Sequence, residues 1–475
     1  MSNNKGRRTT LKGIAAMSVA AALPGGLISC ASPRRDAQVI VIGAGLAGLN
    51  AALLLQAQGI DLLVVEGSDR IGGRVYTMMD QPHQPDAGGS EFSALSYARL
   101  TDMIDRLELK AVPWRGTGVQ FSIHADGQTI SAADWPTAEI NRVGGPARNI
   151  PPMFLAESFL PRPSPLPTHD AWLESGAYQY DIPFGEFIKK AGADPEVIRL
   201  AGNRASSDDL DSISTLWKLH TAKFAEVSGG LDNLRGVEGG MSRVTDGMAN
   251  LLSRPVQLNT QVTGISTANN QILVQTKDGR ILRADYAVCT VPLTLLREIA
   301  FDPVLPALQA KAVREIPYDD HIEVFFDVLE PFWEEDGLPS SLWSDGPLGL
   351  VVHAADESPL GYLWVAITGR ASAPLRALPD DQILSIATSE LARMRPTTVG
   401  RLKPMAVHNW SAYGWTKGHL AYRAPGQIRE FGNVAAKAHG RIHFAGEHTA
   451  VLASGMEGAM ESGERAALEI LDRTG

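Results

Sequence analysis

Cysteine is scarce here: two in 475 residues, Cys30 and Cys289. That excludes a disulfide-stapled fold and a cysteine-built zinc centre, and no Cys-x-x-Cys-His is present for covalent haem. Positive charge is in deficit, with 43 Lys and Arg against 53 Asp and Glu, and the net charge of −10 argues against nucleic acid as a partner. There is no internal repeat and no low-complexity tract. At 44% hydrophobic and 20% charged, the composition is that of a globular chain of roughly two to three domains. Redox chemistry in such a chain needs a borrowed cofactor.

Residues 1–30 hold Lys5, Arg7, Arg8 and Lys12 and no acid, and 13–29 are apolar but broken by Pro24, Gly25 and Gly26. A charged start before a short apolar core reads as an export signal, too interrupted to span a bilayer. Arg7-Arg8 before Thr9-Thr10-Leu11-Lys12 resembles a twin-arginine signal, which exports proteins already folded around a cofactor. Leu27-Ile28-Ser29-Cys30 resembles a bacterial lipobox, in which Cys30 becomes the lipidated first residue. The alternative is a plain signal with Cys30 incidental. The expected mature protein is acidic, anchored to the membrane by lipid, and on the periplasmic side.

A nucleotide fold opens the remainder. Ala37-Gln38-Val39-Ile40-Val41-Ile42 reads as a buried parallel strand, and Gly43-Ala44-Gly45-Leu46-Ala47-Gly48 fits G-x-G-x-x-G. An Ala/Leu-rich helix over 46–58 and a second strand over 61–65 follow, with Glu66 at its end. Gly43 serves the tight turn, Gly45 lets backbone approach a pyrophosphate, and Gly48 lets helix and strand pack closely. Glu66 can accept from both ribose hydroxyls of an adenosine. Beyond Gly67, the run Arg70-Ile71-Gly72-Gly73-Arg74 offers more bare backbone and two cations for phosphates.

Further motifs lie downstream: Asp86-Ala87-Gly88-Gly89-Ser90, Gly239-Gly240-Met241, Pro331-Phe332-Trp333, Phe444-Ala445-Gly446-Glu447-His448-Thr449, and a helical run from Gly455-Met456-Glu457 to Leu471. In order over 37–473, they closely resemble the flavin-containing amine oxidase family, which includes monoamine, polyamine and L-amino-acid oxidases. The resemblance implies FAD as cofactor. It places Glu447 at the ribityl chain, Val262 at the adenine, and the start of the 455 helix at the flavin. No second dinucleotide fingerprint is present, so an organic substrate is expected to reduce the flavin directly.

The sequence also departs from that family. The family's lysine near flavin N5 lies ten residues before the Pro-Phe-Trp tryptophan, and counting back from Trp333 gives Glu323. An acid there is expected to disfavour negative charge on the flavin and on oxygen, and so to slow reoxidation by oxygen in favour of another electron acceptor, such as a periplasmic carrier. The alternative is a one-residue slip that leaves Glu323 in solvent. Two cage tyrosines of monoamine oxidases map to Gly455 and to Leu420, after Trp410, which leaves Trp415 and Tyr422 as candidates for an aromatic face. His419 falls where some relatives attach flavin through cysteine, and an ordinary pocket histidine is expected. Glu91, after the Gly88-Gly89 pair, is suited to a cationic amine rather than a carboxylate, or else it pairs with Arg99 or Arg235. Cys289, in an apolar strand, is expected to be a buried structural thiol.

The expected fold is α/β. A Rossmann-like FAD-binding domain comes from 37–93, 232–303 and 437–475, and an α+β substrate domain from 94–231 and 304–436. The expected function is oxidation of a small-molecule amine by hydride transfer to FAD. The alternatives are C–C desaturation of an apolar substrate or a flavin-bound protein without turnover.

Overall fold

The first strand, Val39–Ile42, is completely buried, and its alternate side chains serve two different cores. Val39 and Val41 face the helices Leu46–Ala57 and Gly455–Thr474, while Ile40 and Ile42 face a second sheet. Period-two alternation explains the split, and burial on both faces explains why the strand reads as a continuous apolar run. It lies inside a parallel sheet in the order Leu62–Val65, Val39–Ile42, Tyr286–Cys289, Ile442–Phe444. Burial pushes the Cys289 thiol up to about 12 and keeps it inert.

These elements come from a computed structural model that describes residues 35–474 except 117, 205, 206, 208, 356, 357 and 359. Arg7, Arg8 and Cys30 lie outside the described residues. Among the described residues, no helix is long and apolar enough to cross a membrane.

The helices Leu46–Ala57 and Gly455–Thr474 cross closely enough that a Cβ on Gly463 would come within 2.2 Å of the Ala47 carbonyl oxygen. Behind the parallel sheet, Ile281–Ala284, Gln271–Thr276, Val262–Ala268 and Ala300–Asp302 form a four-stranded sheet, with a hairpin whose turn carries Asp278-Gly279, a pair suited to tight turns. A seven-stranded sheet runs Leu402–Asn409, His321–Val328, Tyr362–Thr368, Leu350–Ala354, Ser341–Ser344, Phe121–Ala125, Gln128–Ser131. His321–Val328 is interior to it, so Glu323 sits between Ala366 and His408 on the neighbouring strands. Short helices from 135 to 225 pack on this sheet around Trp135, Trp172 and Trp343.

Candidate active site

A cavity of about 510 Å³ runs from the glycine turn to the start of the last helix. At one end Gly43 has φ +107°, and a Cβ on Gly48 would stand 2.0 Å from the Gly43 carbonyl oxygen, so the helix rests directly on the turn. Gly45 is the N-cap, with no side chain bonded to the first amides and no acid in the first turn, which leaves those amides available to an anion. The Ala44 N–H donates to Glu66 Oε2 (2.8 Å), and the Ser68 N–H donates to Glu66 Oε1 (2.9 Å). Further along, Arg74 pairs with Glu447 at 2.8 Å and donates to the His419 carbonyl, while the Ala421 N–H donates to Glu447 Oε1 (2.8 Å). Burial alone would lower the Arg74 pKa, but Glu447 outweighs it and the guanidinium stays charged.

The other end is built from side chains. Gly455, at φ +57°, opens the last helix, and the Tyr97 hydroxyl lies 3.5 Å from where a Gly455 Cβ would be. Burial, with the charges of Glu91 and Glu457, raises the Tyr97 pKa and keeps it a hydrogen-bond donor. Glu91, which accepts from the Ser90 hydroxyl, lines the same end together with Met456, His419 and Leu420.

One layer behind the wall, the Glu323 carboxylate is 1% exposed. It accepts from the Gly88 N–H (2.9 Å) and from the indole N–H groups of Trp364 (2.9 Å) and Trp410 (2.8 Å). Burial would raise its pKa, but His321, His419 and the Trp410 bond hold it down at about 2. A Cβ on Gly88 would meet Trp410 Cζ2 at 2.8 Å, so this cluster supports the glycine pair from behind.

The model of the flavin containing amine oxidoreductase family matches residues 46–471. The chain belongs to that family. It is 28% identical over 463 residues to the flavin-containing amine oxidase B of Sus scrofa, covering 92% of this chain and 86% of that one. The corresponding Homo sapiens protein is 27% identical over 471 residues, with the same coverage. In fold, the chain is similar to cyclohexylamine oxidase from Brevibacterium oxydans, with a TM-score of 0.76, 23% identity, and 92% and 99% of the two chains covered. A putrescine oxidase bound to putrescine gives 0.73 at 22% identity with the same coverage. This flavin amine oxidoreductase uses FAD, and its residues fit that group. They supply uncapped helix amides, an acid at the end of the second strand, and a Glu447 Oε2 that pairs with Arg74 but makes no hydrogen bond.

The amine oxidoreductase cavity gathers much of what the sequence nominated. Gly43, Gly45, Leu46, Ala47, Glu66, Gly67, Gly73, Arg74, Gly88, Gly89, Ser90, Val262, Gly446, Glu447, Gly455 and Met456 line it. Other nominated residues stand elsewhere. Arg70, expected at a phosphate, donates to the carbonyls of Ile71, Gly73 and Val75 and lies over the Tyr76 ring, so it braces the glycine loop. Glu457 turns away from the cavity and accepts from the Arg99 and Leu100 amides, capping the helix Ala98–Arg106. Glu323 and Trp410, expected at the reacting atoms, form the support behind the wall instead. Trp415 lines the cavity at its Glu66 end, against Gly67, where a Cβ would come within 2.4 Å of the indole. Tyr422 packs in the core beside Trp172 and Trp343 rather than at the cavity.

Sequence reasoning missed Tyr97. Its place opposite Gly455 depends on two segments far apart in the chain, and no local spacing marks it. Glu461 was missed too. It accepts from the amides of Val451, Leu452 and Ala453 and so fixes the loop leading into Gly455.

Proposed function

We propose that this flavoprotein oxidises the carbon–nitrogen bond of a small-molecule amine to an imine, which water then hydrolyses. The observation that carries this reading is one cavity that joins the dinucleotide turn to the helix start at Gly455 and to Glu91, Tyr97 and Leu420. When bound, FAD supplies the acceptor for the hydride that leaves the carbon beside the nitrogen. The chain's residues hold, orient and screen. Amides of the turn and Glu66 bind the nucleotide half, and Arg74 with Glu447 fixes the middle. The first amides of the helix Gly455–Thr474 present a positive dipole end where negative charge gathers. Leu420 and Met456 exclude water, and Tyr97 and Glu91 supply polar contacts for an amine. No side chain needs to act as base if the amine binds neutral.

The electron acceptor follows from Glu323. A carboxylate held ionised one layer behind Gly88 opposes further negative charge on that side, so reoxidation by oxygen is slow and a different acceptor, such as a periplasmic carrier, is preferred. Glu323→Gln removes the charge and keeps one oxygen for the Gly88 N–H and the Trp410 indole, which share Oε2, and it is expected to speed reoxidation in air-saturated buffer. An unchanged rate counts against this reading.

For residues 1–30 our reading is export by the twin-arginine route and lipid attachment at Cys30. Labelled palmitate should enter the full chain and not Cys30→Ser.

The reaction itself is tested by anaerobic addition of monoamines, polyamines, cyclic amines and amino acids to the flavin-loaded protein. Bleaching of the flavin by an amine class is the expected result. A fully loaded flavin that no amine bleaches would overturn the proposal.

A further inference from the structure

Asp319 and His321 meet His419 at the cavity wall, brought there by two segments joined through their backbones. The Asp319 N–H donates to the Leu420 carbonyl (2.9 Å), and the His419 N–H donates to that of Asp319 (3.1 Å). One ligand atom from each of the three residues lies within 4.8 Å of the other two. His321 and Glu323 are two apart on one strand, so they point to the same side.

The bonding of this cluster is incomplete in a particular way. Asp319 Oδ1 accepts from the Leu420 N–H, while its Oδ2 stands 3.6 Å from His419 Nδ1. His321 Nε2 stands 3.6 Å from Glu323 Oε1. Both imidazole nitrogens are buried and make no hydrogen bond. A gap of 3.6 Å is too long for one, but two ligands on a common tetrahedral centre are about 3.4 Å apart when each bond is about 2.0–2.1 Å.

Charge points the same way. Asp319 is 3% and Glu323 1% exposed. Among the described residues, the ion-pair partners of these two carboxylates are those imidazoles, and the nearby Arg74 is taken by Glu447. Two buried negative charges need two positive ones. Supplying them as two imidazolium ions would set like charges face to face, since the rings lie 4.3 Å apart and tilted by only 33°. A single dication offsets both carboxylates and takes neutral imidazoles as ligands, so the slow reoxidation read from the Glu323 charge belongs to the metal-free protein.

We propose that Asp319, His321 and His419 bind one divalent transition-metal cation, with zinc suited best to this His–His–carboxylate set and Glu323 completing its surroundings. The cation would pin the 319–321 segment to the 419–420 loop, which presents Leu420 to the cavity. Its role is structural and does not depend on which substrate is oxidised. No motif in the sequence marks the site, because its ligands lie about a hundred residues apart in the chain.

The test uses the full chain loaded with flavin and purified from zinc-supplemented cells. Plasma mass spectrometry should find about one equivalent of metal per chain. A strong chelator should lower the thermal midpoint, and added zinc chloride should restore it. Cobalt(II) added in place of zinc should give absorption at wavelengths beyond the flavin bands. Asp319→Asn and His321→Gln should each weaken zinc at least about tenfold, while His439→Gln, at a half-buried histidine bonded to the Pro303 carbonyl and outside the cluster, should leave it unchanged. Wild-type protein that takes up no zinc and ignores the chelator would overturn the proposal, whatever the variants do. Uptake equal in wild type, Asp319→Asn and His321→Gln would overturn it as well.

Discussion

The two ends of the cavity are made by different means. At the nucleotide end, glycine backbone and helix amides do the binding, and the key positions fall within a few dozen consecutive residues, from Gly43 to Arg74. At the substrate end, Tyr97, Glu91, Leu420 and Gly455 arrive from distant parts of the chain, and the wall is held up from behind by Glu323, Trp364 and Trp410. Backbone sites write themselves into sequence as glycines at fixed spacing, because only a missing Cβ allows the approach. Side-chain sites leave no such local mark, and the same position can be filled from another segment. Tyr97 opposite Gly455 is the example.

The sharpest way to break this contrast is at Gly48. Gly48→Ala sets a Cβ 2.0 Å from a backbone oxygen, and we expect protein without bound flavin and destabilised by more than about 3 kcal/mol, read from flavin content and denaturant unfolding. Flavin retained at wild-type level would show that the backbone end is more adaptable than the contrast allows. The next largest effect should come from the wall. Glu323→Ala leaves three N–H donors without their acceptor, at a cost of about 3 kcal/mol or more in unfolding free energy, whereas Glu323→Gln should cost much less.

Asp86 probes the strand that links the two ends. Burial, only partly offset by bonds from Thr77 and Met241, raises its pKa to about 6 from 3.8. The folded protein therefore holds this proton more tightly than the unfolded chain. The resulting stability is present below pH 3.8 and is lost as pH rises through about 6. Asp86→Asn should be the more stable protein at pH 8, by up to about 3 kcal/mol, with the difference shrinking toward pH 4 in denaturant titrations. A difference independent of pH would count against the buried carboxylate.

The smallest effect is expected from Tyr97→Phe. Loss of one hydroxyl should lower kcat/KM for the best amine about three- to tenfold while flavin content and spectrum stay unchanged. A change in flavin binding without a change in amine kinetics would move Tyr97 to the other side of the comparison.

Legibility in the sequence followed the same division. The strand Val39–Ile42, the helix after it, Glu66 and the Asp278-Gly279 hairpin could be read locally, since periodicity and glycine placement depend on near neighbours alone. Several nominated side chains sit in the expected neighbourhood but are engaged there by other partners. Arg70 looked like a phosphate ligand because it is a cation beside bare glycines, yet three carbonyls of its own loop take its donors. Glu457 sits in the first turn of the last helix but points at the next helix over, and Trp415 faces Gly67 rather than Gly455. A residue's direction is set by packing, and packing is nonlocal.

By itself, then, the amino-acid sequence determined the nucleotide fold, the flavin and the kind of chemistry, because those rest on backbone shape written as glycines and apolar runs. Only the tertiary structure decided that Glu323 supports a wall rather than facing the reaction, that Tyr97 stands opposite Gly455, and that Asp319, His321 and His419 share one buried point. Each of those depends on side chains from separate segments meeting in a low-dielectric interior, where charge must be paired and every donor needs an acceptor.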